Sequence, residues 1–347
     1  MTRFAVGLAA LAVVLVPSLA AAGDPPKVMP LQKGTFMPPK VDVQLPATKW
    51  SMSNAFENNM KDSMDVAASA PLTGATALAG FRFRFNNGDH KFRRVGVLAK
   101  DRLATMSFAD SNGDDPFAAS ASWAVFSTGK PGTVTATGGG QFLISIPGGK
   151  VPGHKLVLSG FEFRRQDGTD ANVRSIGVWL DSERATARVM LMDDQGPDFR
   201  GFERNIGIAL LGGAPIGELK FTTDTLVSAI GRVNRGEANG RYRPYAVSVQ
   251  YAWIPDSAVA STDVYSGTGR APSSGKSFPA KGVLQGFEFF FTNSDHHLLD
   301  VGVVGPMMKM PSYMPLPAGE VVTFQDNNRD DGIRWAAAFA DLKPSAR

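Results

Sequence analysis

Gly80-Phe81-Arg82-Phe83, Gly160-Phe161-Glu162-Phe163 and Gly286-Phe287-Glu288-Phe289 are three copies of one short strand. Phe81, Phe83 and Phe85 alternate with Arg82, Arg84 and Asn86, a period of two that makes one face apolar and the other polar. An acidic turn follows each copy: Asp89-His90, Asp170-Ala171 and Asp295-His296. Each turn leads to a second strand built on Val95-Gly96-Val97, Ile176-Gly177-Val178 or Val301-Gly302-Val303. The first-to-second glycine spacing is 16, 17 and 16 residues (80 to 96, 160 to 177, 286 to 302). Self-similarity of this kind marks one supersecondary unit used repeatedly. The fold class expected is all-β: repeated antiparallel β-sandwich modules with short helical insertions.

Composition agrees. Gly 37, Pro 23 and Phe 23 with 20% charged residues suit a β protein rich in turns. The chain has no cysteine, which rules out disulfides, a thiol nucleophile and zinc–thiolate sites. Residues 1–22 read as a secretory signal: Arg3 is the charged start, Phe4 to Val16 the apolar core, and Leu19-Ala20-Ala21-Ala22 the small-residue cleavage site. The competing reading, a membrane anchor, suffers from a short core interrupted by Pro17. Without Arg3 the net charge drops from +4 to +3, and Lys and Arg are scattered, so no polybasic nucleic-acid surface is expected. An Ala-rich leader and no cysteine fit a bacterial exported protein, periplasmic or extracellular.

Outward from the cassette, residues 23–70 read as a proline-rich arm ending in a short helix at 53–66. Ser53 would be its N-cap, with Phe56, Met60 and Met64 on one face. Three β modules are expected at 71–147, 148–256 and 282–347. Residues 129–140 read as a Gly/Thr-rich loop and 257–281 as a linker. The second module is enlarged by a helix over 225–235 carrying Leu226, Ile230 and Val233 on one face. The modules either stand apart or merge into fewer compact domains.

Several constellations could carry chemistry. Asp110-Ser-Asn112-Gly-Asp114-Asp115 and Asp326-Asn-Asn328-Arg-Asp330-Asp331 place oxygen ligands at alternate positions, as a hard cation such as Ca²⁺ requires. They depart from an EF-hand-type loop. Asp115 and Asp331 replace its turn glycine, and Ala121 and Ala337 stand where its bidentate Glu would be. The alternative is a solvated hairpin loop with Asx turns. Asp89-His90 and Asp295-His296-His297 are either turn devices that bond local backbone, ligand contacts, or a base or metal pair. Trp123 and Trp335 fall on the closing strand of their modules, either as core residues or as stacking platforms for a sugar ring. Hydrolase and dinucleotide motifs are missing from the sequence.

The strand Tyr245-Ala-Val-Ser-Val-Gln-Tyr-Ala-Trp253-Ile-Pro, and after it Ser120-Ala-Ser-Trp123-Ala-Val-Phe126, resemble the closing strand of the H-type lectin domain. The resemblance implies a small antiparallel β-sandwich that binds sugars, in that family often as a trimer, and transfers no binding residue. The function expected is non-catalytic binding of a glycan or cell-envelope polymer. The alternatives are a structural surface or assembly protein, as a homo-oligomer, and a secreted hydrolase with its site in the second module.

Overall fold

The computed structural model describes residues 48–85, 92–110, 116–165, 173–193, 244–269, 279–291, 298–315, 321–326 and 333–345. These lie in one compact unit, Leu45–Arg347. They are all-β, with antiparallel pairing throughout; the single helical element among them is a 3₁₀ turn at Asp256–Ala258.

Each Gly-Phe-x-Phe motif lies in a long strand: β3 (Ala75–Phe85), β8 (His154–Arg165) and β13 (Gly282–Phe291). The Val-Gly-Val-type strands are β4 (Phe92–Asp110), β9 (Val173–Asp181) and β14 (Leu298–Val303). Neither strand of a cassette pairs with the other. β3 pairs with β14, β8 with β4, and β13 with β9. Copy one therefore receives its neighbour from copy three, copy two from copy one, and copy three from copy two. Strand exchange runs around a closed ring of three.

Three sheets result. The first joins β1 (Trp50–Met60), β5 (Phe117–Phe126), β3, β14 and β15 (Val322–Asp326). The second joins β2 (Ser63–Leu72), β4, β8, β11 (Tyr245–Pro255) and β6 (Lys130–Gly138). The third joins β12 (Val259–Thr268), β16 (Ile333–Leu342), β13, β9, β10 (Thr186–Asp193) and β7 (Gly140–Ser145). β4 reverses at Asp101, where φ is 51°. Its first arm pairs with β8 and its second with β2.

The apolar faces of all three sheets meet in one core. At its centre the rings of Phe81, Phe161 and Phe287 stand 4.9 Å apart in every pairing, centroid to centroid. These are the equivalent phenylalanines of the three copies, so the molecule has a pseudo-threefold axis through them. Val95, Ile176 and Val301, equivalent residues of the second strands, line a small apolar cavity of about 20 Å³ beside them. Aromatic edges and faces packed in this way add to the burial itself.

The cassette glycines permit the exchange. A Cβ on Gly96 would lie 2.7 Å from the Phe161 carbonyl oxygen, and one on Gly177 equally close to that of Phe287. On Gly302 it would collide with the Phe81 carbonyl oxygen. Each of the three main strands also carries a bulge next to its glycine, between Leu78 and Gly80, opposite Gln250 and Tyr251, and between Leu284 and Gly286. Gly302→Ala is expected to cost more than the 1–3 kcal/mol or so typical of overpacking, because the obstacle is backbone. A lower urea midpoint would register it.

On the outward faces, the residue between the two phenylalanines meets a charge from its exchanged partner. Arg82 grips Asp300 through Nε and Nη2, the latter at 2.5 Å, with side chains 6% and 8% exposed. Glu162 receives Arg94 at 2.8 Å. Arg94 and Asp300 are equivalent, each two residues before its glycine, so the pair is reversed in polarity between the two sites. In the third sheet Ser175 occupies that position, and the cation comes from β10: Arg188 donates to Glu288 Oε2 at 2.8 Å. Pairing within a copy would set Arg82 against Arg94 and Glu288 against Asp300. Like charges so placed oppose that arrangement and favour the exchange.

The sequence misled in three places. Residues 53–66 are not a helix but parts of two strands, β1 and the start of β2, which lie in different sheets. Ser53 Oγ donates to Ala70 O, bridging two strands instead of capping a turn. Met60 is buried while Phe56 and Met64 are exposed, so the supposed helical face is split. Pairing with β5 and β4 overrode the local pattern. Residues 129–140 hold β6, an edge strand whose Thr133, Thr135 and Thr137 are exposed while Val134 is buried. The expected linker 257–281 contains β12, pinned along β16 with Tyr265 against Phe339. The helix expected at 225–235 lies outside the described residues.

Candidate functional site

Antiparallel pairing delivers the cassette connections to one end. Phe85 pairs with Phe117, Asp300 with Arg84, and Leu298 with Asp326 in the first sheet. In the second, Arg165 pairs with Tyr245 and Arg94 with Arg164. In the third, Phe291 pairs with Ile333, Phe290 with Ser175, and Asp193 with Val173. All three main strands rise from the central phenylalanines toward these pairs. Connections 86–91, 111–115, 166–172, 194–243, 292–297 and 327–332 therefore all leave and rejoin the scaffold at its upper end.

Asp89, His90, Asp295, His296 and His297 lie outside the described residues, on two of these connections. So do Asn112, Asp114, Asp115, Asn328, Asp330 and Asp331. The backbone of Asp110 ends β4 and that of Asp326 ends β15, so both acidic runs start at the same end of the molecule. Among the described residues no three His, Asp or Glu side chains are grouped to hold a metal ion.

The roots of these connections carry both signs of charge, with Asp110, Asp193 and Asp326 at strand ends among several arginines. Arg84, Arg93, Arg94, Arg164, Arg165 and Arg334 all stand within two residues of an upper strand end. Sequence reading took these arginines as scattered. The signal was their position close to a strand end, on four separate strands.

The lower end holds the chain's other features. Trp50 N donates to Ser345 Oγ and its Nε1 to Lys343 O, both at 3.0 Å, so the first strand starts beside the end of the last. Trp50, near the first of the described residues, therefore stands at the end opposite the acidic connections.

The two tryptophans weighed as sugar platforms serve the core. Trp123 is fully buried, and its Nε1 donates to Ser159 O at 2.8 Å. Trp335 is 4% exposed, with its Nε1 on Gly269 O. Each indole has its one polar atom satisfied and no open face for a ligand. Trp253 on β11 is buried too.

Sequence reasoning missed the polar layer on the outward faces. Glu288 Oε2 accepts from Trp179 Nε1 at 3.1 Å as well as from Arg188, whose guanidinium lies 5.7 Å from the Trp179 ring centre. Glu288 Oε1 has no hydrogen-bond partner. On the first sheet, residues 304–315 fold back across the outward face. Arg82 Nη1 holds Met314 O and Pro315 O, and Arg84 Nη1 holds Tyr313 O. Only the alternation of Arg and Glu in the Gly-Phe-x-Phe motif hinted at this layer.

Proton affinities at the described surface follow local contacts. The Thr105 hydroxyl and the Lys100 ammonium hold the Asp65 carboxyl below its usual range. Burial pushes the Tyr245 hydroxyl far up, so it stays a neutral donor to Gly140 O.

No known protein family matches this chain, and no curated protein is significantly similar to it.

Proposed function

We propose that the chain is an exported, non-catalytic binding protein for a glycan or cell-envelope polysaccharide. The contacts come from the connections at the upper end, with Asp89, His90, Asp295, His296 and His297 as the first residues to engage hydroxyl groups. One observation carries this reading. Six connections, including every acidic turn of the cassette, spring from one end of a densely cored scaffold, while Trp50 stands at the other. A rigid body that presents variable connections on one side is the usual way a β scaffold binds. The family resemblance of the closing strands favours a sugar over other polymers.

The two Asp-x-Asn-x-Asp-Asp runs, at the same end, make Ca²⁺ the cofactor to test. If the folded protein alone binds it, a hundredfold excess over Kd raises stability by about 2.7 kcal/mol. A melting temperature indifferent to Ca²⁺ and to EDTA would dismiss it.

Glycan arrays and polysaccharide pull-downs test the main reading. Asp89→Ala and Asp295→Ala should each weaken binding roughly tenfold or more, the scale of losing a charge-assisted hydrogen bond, with thermal stability unchanged. No retention on any polysaccharide would defeat the reading. The structural alternative has its own support: β12 is a ten-residue edge strand, and an open edge can pair with another chain. Concentration-dependent multimers without ligand binding would favour it.

A further inference from the structure

We propose that the same saccharide has a second contact surface, built from the scaffold: an aromatic platform of Phe56 and Tyr313 on the outward face of the first sheet. It rests on the binding role proposed above and adds the residues and the ligand class. Phe56 is 39% exposed and Tyr313 38%, two of the few large apolar side chains that reach solvent among the described residues. Both belong to the upper half of one face. Phe56 pairs across β1–β5 with Ser120, and Arg84, which carries Tyr313, pairs across β3–β5 with Ala118.

Tyr313 is held there by construction. Ser120 Oγ donates to Lys309 O, and Lys309 N donates to Ser122 Oγ. Four residues on, Arg84 fixes Tyr313 O at 3.1 Å, and Arg82 fixes Met314 O and Pro315 O. Met314 is fully buried beneath. The backbone on both sides of Tyr313 is thus clamped to the sheet, and its ring is left at the surface. Ordering a ring in advance lowers the cost of binding.

The polar surroundings fit a sugar. Glu57 follows Phe56 on β1, is exposed at the edge of the sheet, and its charge reaches Tyr313. Partial burial, then the Glu57 charge, raises the affinity of the Tyr313 hydroxyl for its proton. That hydroxyl therefore remains a neutral donor. Small Ala118 lies on the same outward face, opposite Arg84. A pyranose offers an apolar C–H face to the rings and hydroxyls that can give to Glu57 and receive from Tyr313. The carboxylate selects a neutral saccharide over an anionic one.

Saturation-transfer NMR with cellotetraose, maltotetraose and chitotetraose tests this on the full chain. At least one should bind. Tyr313→Ala and Phe56→Ala should each weaken it about tenfold or more, as anchors at a contact do, with melting unchanged. Tyr313→Phe should retain stacking and lose part of the affinity, while Leu143→Ala, at an exposed apolar residue of the third sheet, leaves it unchanged. Wild-type affinity in both alanine variants would overturn the platform. If Asp89→Ala alone weakens binding, the upper connections bind and the platform does not. Binding of anionic polymers with none of the three tetrasaccharides would overturn the platform and leave the broader reading standing.

Discussion

Arg82→Ala should destabilise the protein by about 3–5 kcal/mol, the range for removing one partner of a buried ion pair. The guanidinium serves more than Asp300. Its Nη1 also satisfies two carbonyls of the 304–315 segment, at 3.0 and 3.1 Å. Removal strands a carboxylate whose side chain is 8% exposed and releases the cover above it. A fall in Tm of roughly 10 °C would follow. Arg94→Ala removes the pseudo-equivalent pair, where the side chains are 24% and 15% exposed. Water can reach Glu162 there, so the cost should be much smaller, nearer about 1 kcal/mol. Equal losses in the two variants would mean that burial does not distinguish the sites.

Phe81→Ala should cost about 3–5 kcal/mol, the usual range for a buried phenylalanine. The ring is 2% exposed and touches its two counterparts at 4.9 Å each. Nothing nearby can swing in to fill the space, because the surrounding strands are fixed by their ladders. The new void would join the existing apolar cavity of about 20 Å³. Phe161→Ala and Phe287→Ala should cost similar amounts, since all three rings contribute alike. A second alanine should then cost less than the first, because its partner contact is already gone. Chemical denaturation of the singles and doubles checks both points. Strict additivity would show that the rings pack independently.

Much of the fold was legible in the cassette. Alternation around Phe81 and Phe83 predicted the strand found at Ala75–Phe85. What local pattern could not give was the partner of each strand. Val95-Gly96-Val97 follows Phe81 closely in sequence yet pairs with Phe161, and Phe81 pairs with Val303. The information was present, in Arg82, Glu162 and Glu288 against Arg94 and Asp300, but charge at single positions reads as solvated surface until the pairing is known. β1 and β2 were misread because Phe56 and Met64 mimic a helical stripe, although both are exposed on strands of different sheets.

The candidate site was legible in part. The acidic turns announced themselves by composition. Their shared end follows only from the antiparallel order of three sheets. Tyr313 gave no signal, since residues 304–315 have no period. Its exposure depends on Arg82 and Arg84 gripping neighbouring carbonyls, which is visible in space alone.

The ring of strand exchange is tested most directly by double-mutant cycles at the three charge pairs. Arg82 with Asp300, Glu162 with Arg94, and Glu288 with Arg188 should each show a coupling energy, within about 0.5–3 kcal/mol and largest for the two buried pairs. Arg82 with Arg94, its own-copy counterpart, should show none. Coupling between Arg82 and Arg94, with additive effects at Arg82 and Asp300, would contradict the exchange.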